Sequence, residues 1–417
     1  MANPKHYYKI GEFKDCQICG KKNLLEVLDL GYQPLADDLI PIKSNNKELL
    51  FYPLKVSFCP KCILLQNNYI VGDGRLYSKN YHYVPGITKA VVENFKSMSA
   101  FLYKKYNIFF NDLVVDIGCN DGSLLHEFKK LGHHKLLGIE PTNTAKYAKA
   151  KKINVIQDFL NLSSALKAKK KYGKAKLITT TNVFAHTNNL SQFILGVKSL
   201  IQKDGIFVIE NHYLLDVVKK YQFDTFYHEH LRTYSLNSLL KLMKFYNFFL
   251  IDAYRSERYG GNIQAHFSLK KIQISLNAKK ILRIEIKEKL NKLDTYLDFK
   301  KKIDKCKYDL EKFLLKNKKK LIVAKAFPAR ASILIHYFSY IKNYVKYIAE
   351  QPTSKKLNFY APGTDLKIIS SGIMKKKKPD IIIVLAWHLF DSIAMKWKKI
   401  LGKNVKIVRP LPTLLIK

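Results

Sequence analysis

The sequence predicts an α/β protein in three parts: a doubly wound, mostly parallel sheet in the middle, a small cysteine-bearing module before it and a second α/β unit after it. Three observations carry this expectation. Val114-Val115-Asp116-Ile117-Gly118-Cys119-Asn120-Asp121-Gly122-Ser123-Leu124-Leu125 reads as a strand, a tight turn and a helix. β-branched runs at Leu113 to Ile117, Leu136 to Glu140, Ile153 to Gln157, Leu177 to Thr181 and Ile206 to Asn211 alternate with amphipathic stretches, the pattern of a sheet covered on both faces. The alternation starts again at Leu321, after a long Lys-rich helical pattern. The expected divisions are 1–75, 76–270 and 271–417.

Composition narrows the function classes. The 417 residues are 47% hydrophobic and 12% aromatic, enough for a core in each part. The longest apolar run, Ile381 to Trp387, falls far short of the roughly 18 residues of a membrane span. The opening Met-Ala-Asn-Pro-Lys has no apolar leader pattern, so a cytoplasmic location is expected. The formal charge of +40 invites a nucleic-acid reading, yet only seven of the 73 basic residues are Arg. Phosphate recognition favours the bidentate Arg fork, so the lysines read as solvated surface and nucleic acid is not the expected partner.

Four of the six cysteines form two Cys-x-x-Cys pairs, Cys16/Cys19 and Cys59/Cys62, in residues 1–75. Each pair sets two thiolates on one side of a tight turn, and two turns complete a tetrahedral zinc site with no open position, hence a structural one. Unligated core cysteines and a redox pair are the alternatives. Strand-like runs at Leu24 to Leu30 and Leu49 to Phe58 would hang from the metal. An aromatic linker follows, with Tyr81 and Tyr83 on one side of an extended segment, and then an amphipathic helix from about Ile87 to Tyr106. Packing between modules suffices to explain the two tyrosines.

In the middle part Gly118 and Gly122 allow close backbone approach to a ligand, and the next helix points its positive end at the turn. The Gly-x-x-x-Gly spacing lacks the third glycine of the dinucleotide fingerprint and the Lys-Ser/Thr of a P-loop. Glu140, followed by Pro141, ends the second strand where a ribose diol would lie. Asp158 and Phe159 follow the third strand, placed to hold an adenine, and Asn182 to His186 follow the fourth. Asp116, Gly118, Asn120, Asp121, Gly122, Glu140, Pro141, Asp158, Phe159, Asn182 and His186 are therefore the expected cofactor residues. They resemble the S-adenosylmethionine (SAM) site of the class I, Rossmann-like methyltransferases.

The densest chemistry lies in Phe223 to Ser235, where two histidines, His228 and His230, two acids, Asp224 and Glu229, and Tyr227 fall within seven residues and suit acid–base work near neutral pH. It is not the His-Glu-x-x-His of zinc proteases, although in an extended segment His228 and His230 would share a face, leaving a metal site and a purely structural loop as alternatives. Arg258 to Ile263 adds a Gly-Gly turn. Leu276 to Lys319 predicts one or two amphipathic helices. The last unit has strands at Leu321 to Lys325, Tyr347 to Glu350, Ile381 to Ala386 and Val405 to Val408, and its first turn, Ala326 to Arg330, has no glycine, which argues against dinucleotide binding there.

Together the cysteine pairs, the Asp116-Ile117-Gly118 turn, Asn182 to His186, Tyr227 to Leu231, Tyr259-Gly260-Gly261-Asn262, Tyr360-Ala361-Pro362-Gly363-Thr364 and Leu385-Ala386-Trp387 resemble, over essentially the full length, the SAM-dependent C-methyltransferases of nucleotide-linked deoxysugars. The resemblance implies methyl transfer to a ring carbon beside a keto group, with His230 as the base that forms the enolate. It implies that Tyr227 and Glu229 orient that base or stabilise the enolate oxygen, and that Tyr81 or Tyr83 closes over the sugar. The nucleotide would lie between the second and third parts, with His228, Asn211, Tyr259, Gly260, Asn262, Tyr360, Pro362, Gly363 and Thr364 on the acceptor side. Ala326, Phe327 and Ala331 stand where that family carries glycines, and His388 where it carries an Asn. Alternatives are an O-methyltransferase of a nucleotide-linked sugar, a nucleic-acid methyltransferase read by the zinc module, and a catalytically silent scaffold. The sequence leaves oligomeric state open, with a monomer as the default.

Overall fold

The computed structural model describes residues 10–45, 48–77, 81 and 83–417. Its middle sheet has seven strands: β1 Leu113–Ile117, β2 Leu136–Ile139, β3 Asn154–Ile156, β4 Ala175–Thr181, β5 Ile201–His212, β6 Phe249–Ser256 and β7 Asn262–Ser268. Their order is β6-β7-β5-β4-β1-β2-β3, with β1 to β5 parallel and β7 antiparallel to both neighbours. All five residues of β1 are buried, as the central strand of a sheet covered on both faces requires. The chain leaves β1 in one direction and returns at β4 in the other. The crevice outside the carboxyl ends of β1 and β4 is therefore the topological switch point at which α/β sheets bind ligands. The largest departure from the expected strand limits is β5, which begins five residues early.

The N-terminal head is a four-stranded antiparallel sheet ordered Arg232–Tyr234, Leu64–Asn67, Phe51–Cys59, Leu25–Pro34. Its first strand comes from the middle of the chain, two residues after His230, and pairs Thr233 with Leu65. The C-terminal sheet has eight strands, ordered Leu415–Ile416, Lys406–Arg409, Ile381–Val384, Ile322–Lys325, Val345–Glu350, Lys367–Ser370, Phe359–Tyr360 and Ile40–Pro41. The last of these belongs to the head and pairs Tyr360 with Ile40. The Lys-rich stretch forms helices Leu276–Lys287 and Leu293–Lys316. The longer one buries Tyr296 against Phe58 of the head, with ring centroids 4.3 Å apart, and Phe299 against Phe226 of the middle part at 6.5 Å. Each such aromatic contributes about 1.5–3 kcal/mol by leaving water. One continuous core thus runs through all three parts. Among the described residues no helix is long and apolar enough to cross a membrane.

Candidate active site

The cofactor side is built on the carboxyl ends of β1, β2 and β4. Asp116 is buried and accepts a hydrogen bond from Thr179 Oγ1 at 2.7 Å, and burial pushes its pKa up to about 7. Gly118 has φ +69, and a Cβ there would lie 2.4 Å from Val183 Cγ2, so the turn requires glycine. The Asn120 amide donates to Glu140 Oε2 at 2.9 Å, while Thr142 donates to Oε1 from its amide and hydroxyl. A carboxylate offers about four lone-pair positions, which leaves Glu140 able to accept a hydroxyl as well. Asp121 faces inward to Ser123 and to Lys151 at 3.1 Å, and Gly122 packs on Ala148 and Ile153, so these two shape the turn.

Pro141 follows Glu140, half-buried. Asp158 is exposed and accepts from the Phe159 amide, and the Phe159 ring meets Tyr77 edge-on at 5.9 Å. Asn182 follows β4 with φ +54, and His186 Nδ1 lies 3.2 Å from the Tyr77 hydroxyl. Asn120 Oδ1, Asn182 Nδ2 and His186 Nε2 are buried with no partner among the described residues. One acceptor, one donor and one imidazole nitrogen left open beside Glu140 fit a nucleoside-bearing amino acid such as SAM, which presents both hydrogen-bonding polarities.

The acceptor side faces this crevice. His230 Nδ1 lies 2.8 Å from the Thr225 carbonyl, which can only accept, so the neutral ring carries its proton on Nδ1. Its Nε2 therefore has the lone pair, and accepts from the Tyr227 hydroxyl at 2.8 Å. The rings of His186 and His212 each stand 4.8 Å from that of His230. Burial, reinforced by the neighbouring histidines, holds His230 well below the usual imidazole range, and burial lowers His186 to about 4. Glu229 is pushed the other way, up to about 8, by burial and then by Asp37, with Lys356 opposing. A carboxyl with that value is mostly protonated at neutral pH and is able to donate a hydrogen bond. Burial, with Glu229 beside them, also raises the hydroxyls of Tyr77, Tyr81 and Tyr227.

Tyr83 joins the two sides. Its carbonyl accepts from Asn120 Nδ2 at 3.1 Å, and its hydroxyl bonds the hydroxyl of Tyr259. Asn262 donates to Glu210 at 3.1 Å and to Asn182 at 3.3 Å, Arg258 pairs with Glu210 at 3.0 Å, and Gly260, with φ +94, packs on Gln222. Asn211 is buried with neither amide atom partnered among the described residues. His228 packs elsewhere, against Tyr52 of the head at 5.7 Å, so it and His230 do not share a face, and the metal reading of that pair falls. The turn at Tyr360 to Thr364 contacts the head: the Pro362 carbonyl accepts from His336 at 2.8 Å, Thr364 closes the turn onto Ala361, and a Cβ on Gly363 would stand 2.8 Å from Phe51.

Sequence reasoning missed His212 and Glu210, placed Arg258 and Arg330 only as turn residues, and read Asp224 as an acid of the Phe223 to Ser235 segment without its partner Arg330. The one available signal was the polar Glu-Asn-His run that ends β5 at the sheet's carboxyl edge, where ligand contacts collect.

The four cysteines place all their sulfurs within 4.8 Å of one another, with Cys19 and Cys59 sulfurs 3.8 Å apart. A tetrahedron with Zn–S bonds of about 2.3 Å has edges of about 3.8 Å, so the set fits zinc. It is the single such cluster among the described residues.

Three family models match the chain. The family model of a zinc binding domain matches residues 16–77, that of a methyltransferase domain residues 94–253, and that of a C-methyltransferase C-terminal domain residues 257–412. The C-methyltransferase NovU of Streptomyces niveus is 23% identical over 403 residues, covering 95% of each chain. Solved structures similar to the middle part include a SAM-dependent methyltransferase from Clostridium acetobutylicum (14% identity, 43% of this chain and 92% of that one, TM-score 0.35). A magnesium protoporphyrin IX methyltransferase from Synechocystis with bound SAM is also similar (16%, 42% and 78%, TM-score 0.32). The sheet order, the crevice and the matched domains define a SAM-dependent methyltransferase of the class I, Rossmann-like fold, with a structural zinc head. Within that class the chain is similar to C-methyltransferases, in its head, in its C-terminal domain and along the length it shares with NovU.

Proposed function

We propose that the acceptor is a nucleotide-linked sugar with a keto group, methylated at the adjacent ring carbon through an enolate. The observation that carries this reading is His230, a buried imidazole with its proton fixed on Nδ1 and its Nε2 lone pair turned to Tyr227. A C–H bond is not nucleophilic, so carbon methylation beside a carbonyl needs a base before the transfer. SAM, when bound, supplies the electrophilic methyl group. His230 Nε2 takes the α proton, and the electron pair of the broken C–H bond moves onto the carbonyl oxygen. Protonated Glu229 or the Tyr227 hydroxyl donates to that oxygen. The enolate's electron pair would then form the bond from the α carbon to the methyl group as the carbonyl re-forms and the sulfonium C–S bond breaks, its pair going to sulfur to leave S-adenosylhomocysteine, and His230 returns its proton to solvent.

Tyr81 and Tyr83 shield the sugar from water, while Asn211, Tyr259 and Asn262 bind its hydroxyls. The nucleotide lies toward the C-terminal part, whose turn at Tyr360 to Thr364 is held by Phe51 and His336. The similarity to NovU and to the C-methyltransferase C-terminal domain supports carbon methylation over the alternative of an O-methyltransferase. The test incubates the protein with S-adenosylhomocysteine and a panel of keto nucleotide sugars in deuterium oxide. Deuterium should enter the α carbon with the wild type and not with His230→Asn. Absence of exchange with every keto sugar would overturn the reading.

A further inference from the structure

Asp224 is fully buried, and among the described residues the side chains that bond its carboxyl group come from the C-terminal part. Arg330 reaches it with two nitrogens, Nε to Oδ2 at 2.9 Å and Nη2 to Oδ1 at 2.6 Å. The Trp387 indole donates to Oδ2 at 2.9 Å, and the guanidinium lies 4.8 Å from the centre of that indole. Two of the three donors left to Arg330 go to the Gln222 side chain and the Tyr259 carbonyl, both at 3.1 Å. It thereby grips the turn that precedes the acceptor loop and the turn that carries Tyr259. Arg330 and Trp387 stand at the carboxyl ends of Ile322–Lys325 and Ile381–Val384, adjacent strands at the switch point of the C-terminal sheet.

The next residue after Asp224 is Thr225, whose carbonyl accepts the hydrogen bond from His230 Nδ1. A carboxylate fixed by a bidentate fork leaves the following peptide little freedom to rotate. We propose that Arg330 is a positioning residue for the reaction: through Asp224 it holds the Thr225 carbonyl where it selects the Nδ1–H tautomer of His230, so that docking of the C-terminal part arms the base. Without that carbonyl the imidazole is free to carry its proton on Nε2, the nitrogen that must be bare. The positive charge of Arg330 also disfavours protonation of His230, His212 and His388, keeping the cluster neutral.

This proposal rests on His230 being the base, so its test reads the tautomer as well as the reaction. Nitrogen-15 histidine spectra are recorded on the S-adenosylhomocysteine complex, with the His230 signals assigned by their loss in His230→Asn. The wild type should show protonated Nδ1 and bare Nε2. Arg330→Lys and Asp224→Asn should show a mixture of tautomers, with α-proton exchange slowed about 100-fold, the cost of a small misplacement at a catalytic group. Affinity for S-adenosylhomocysteine should stay within about twofold.

Unchanged His230 signals in both variants overturn the proposal. If neither melts cooperatively, Trp387→Phe decides, because it removes one bond to Asp224 and keeps the ion pair. A shifted His230 signal there supports the proposal and an unchanged one overturns it. A tautomer shift in a protein that exchanges no keto sugar would retain the positioning role and reject the sugar chemistry.

Discussion

Glu229 and His230 are neighbours in sequence, and burial drives them in opposite directions: the acid keeps its proton and the imidazole sheds its own. In the unfolded chain Glu229 has an ordinary value of about 4.3. Its folded value of about 8 means that the stability it contributes is complete below that ordinary value and is lost as pH rises through about 8. Asp116, raised to about 7, acts with the same sign. His186, lowered to about 4, acts with the opposite sign, its contribution being lost as pH falls from about 6.5 through about 4. Glu229→Gln should therefore gain melting temperature relative to the wild type as pH rises from about 4 to about 8, by differential scanning calorimetry. A difference that stays flat across this window would show that Glu229 ionises normally. Much at this scale was legible in the chain: glycines at 118 and 122 and acids at 116 and 140 stand at fixed offsets from strand ends. His212 and Arg330 were not, because their neighbours in space lie 18 and 106 residues away, at His230 and Asp224, and one sequence displays no such pairing.

The head is the element that links the four-cysteine site to the Tyr227 to Leu231 segment. Leu64–Asn67 starts two residues after Cys62, and its other edge holds Arg232–Tyr234. The Asn67 side chain donates to the Tyr227 carbonyl at 2.9 Å, and its amide to the Leu231 carbonyl at 2.9 Å. Both ends of the Tyr227 to Leu231 segment are thus tied to a strand anchored by the metal. Cys62→Ser should abolish bound zinc by atomic emission and lower the melting temperature. Exchange at the substrate α carbon should fall more than affinity for S-adenosylhomocysteine, whose crevice lies on β1 and β4. Equal losses of the two would mean that the metal only supports the global fold. The cysteine spacing made the metal readable, as four thiolates have few other uses in such a pattern. The strand Arg232–Tyr234 was not readable, since three residues carry too little periodicity and their partner lies in another part of the chain.

At the scale of the whole molecule the three parts share hydrogen bonds, ions and core. The helix Leu293–Lys316 covers Phe58 and Phe226, and Arg330 compensates Asp224. Expression of residues 1–270 alone would bare those aromatics and leave a buried carboxylate unpaired, a loss of about 3–5 kcal/mol for the ion pair alone. That fragment should bind a hydrophobic dye strongly and melt without cooperativity, and a sharp transition with little dye binding would show that the C-terminal part is dispensable for folding. Alternation of strand and helix announced both α/β units from the sequence, yet it said nothing of the strand that leaves the head for the far sheet. Ile40–Pro41 is two residues long, with a proline, and its pairing with Phe359–Tyr360 spans more than 300 residues. Lys356 reinforces the joint by an ion pair with Asp37 at 2.6 Å. That small strand sets a rule for recombining such enzymes: a crossover that swaps the C-terminal third for another acceptor preference must carry the Asp37 to Pro41 segment with it, or the hybrid's new sheet ends on an uncapped edge open to self-association.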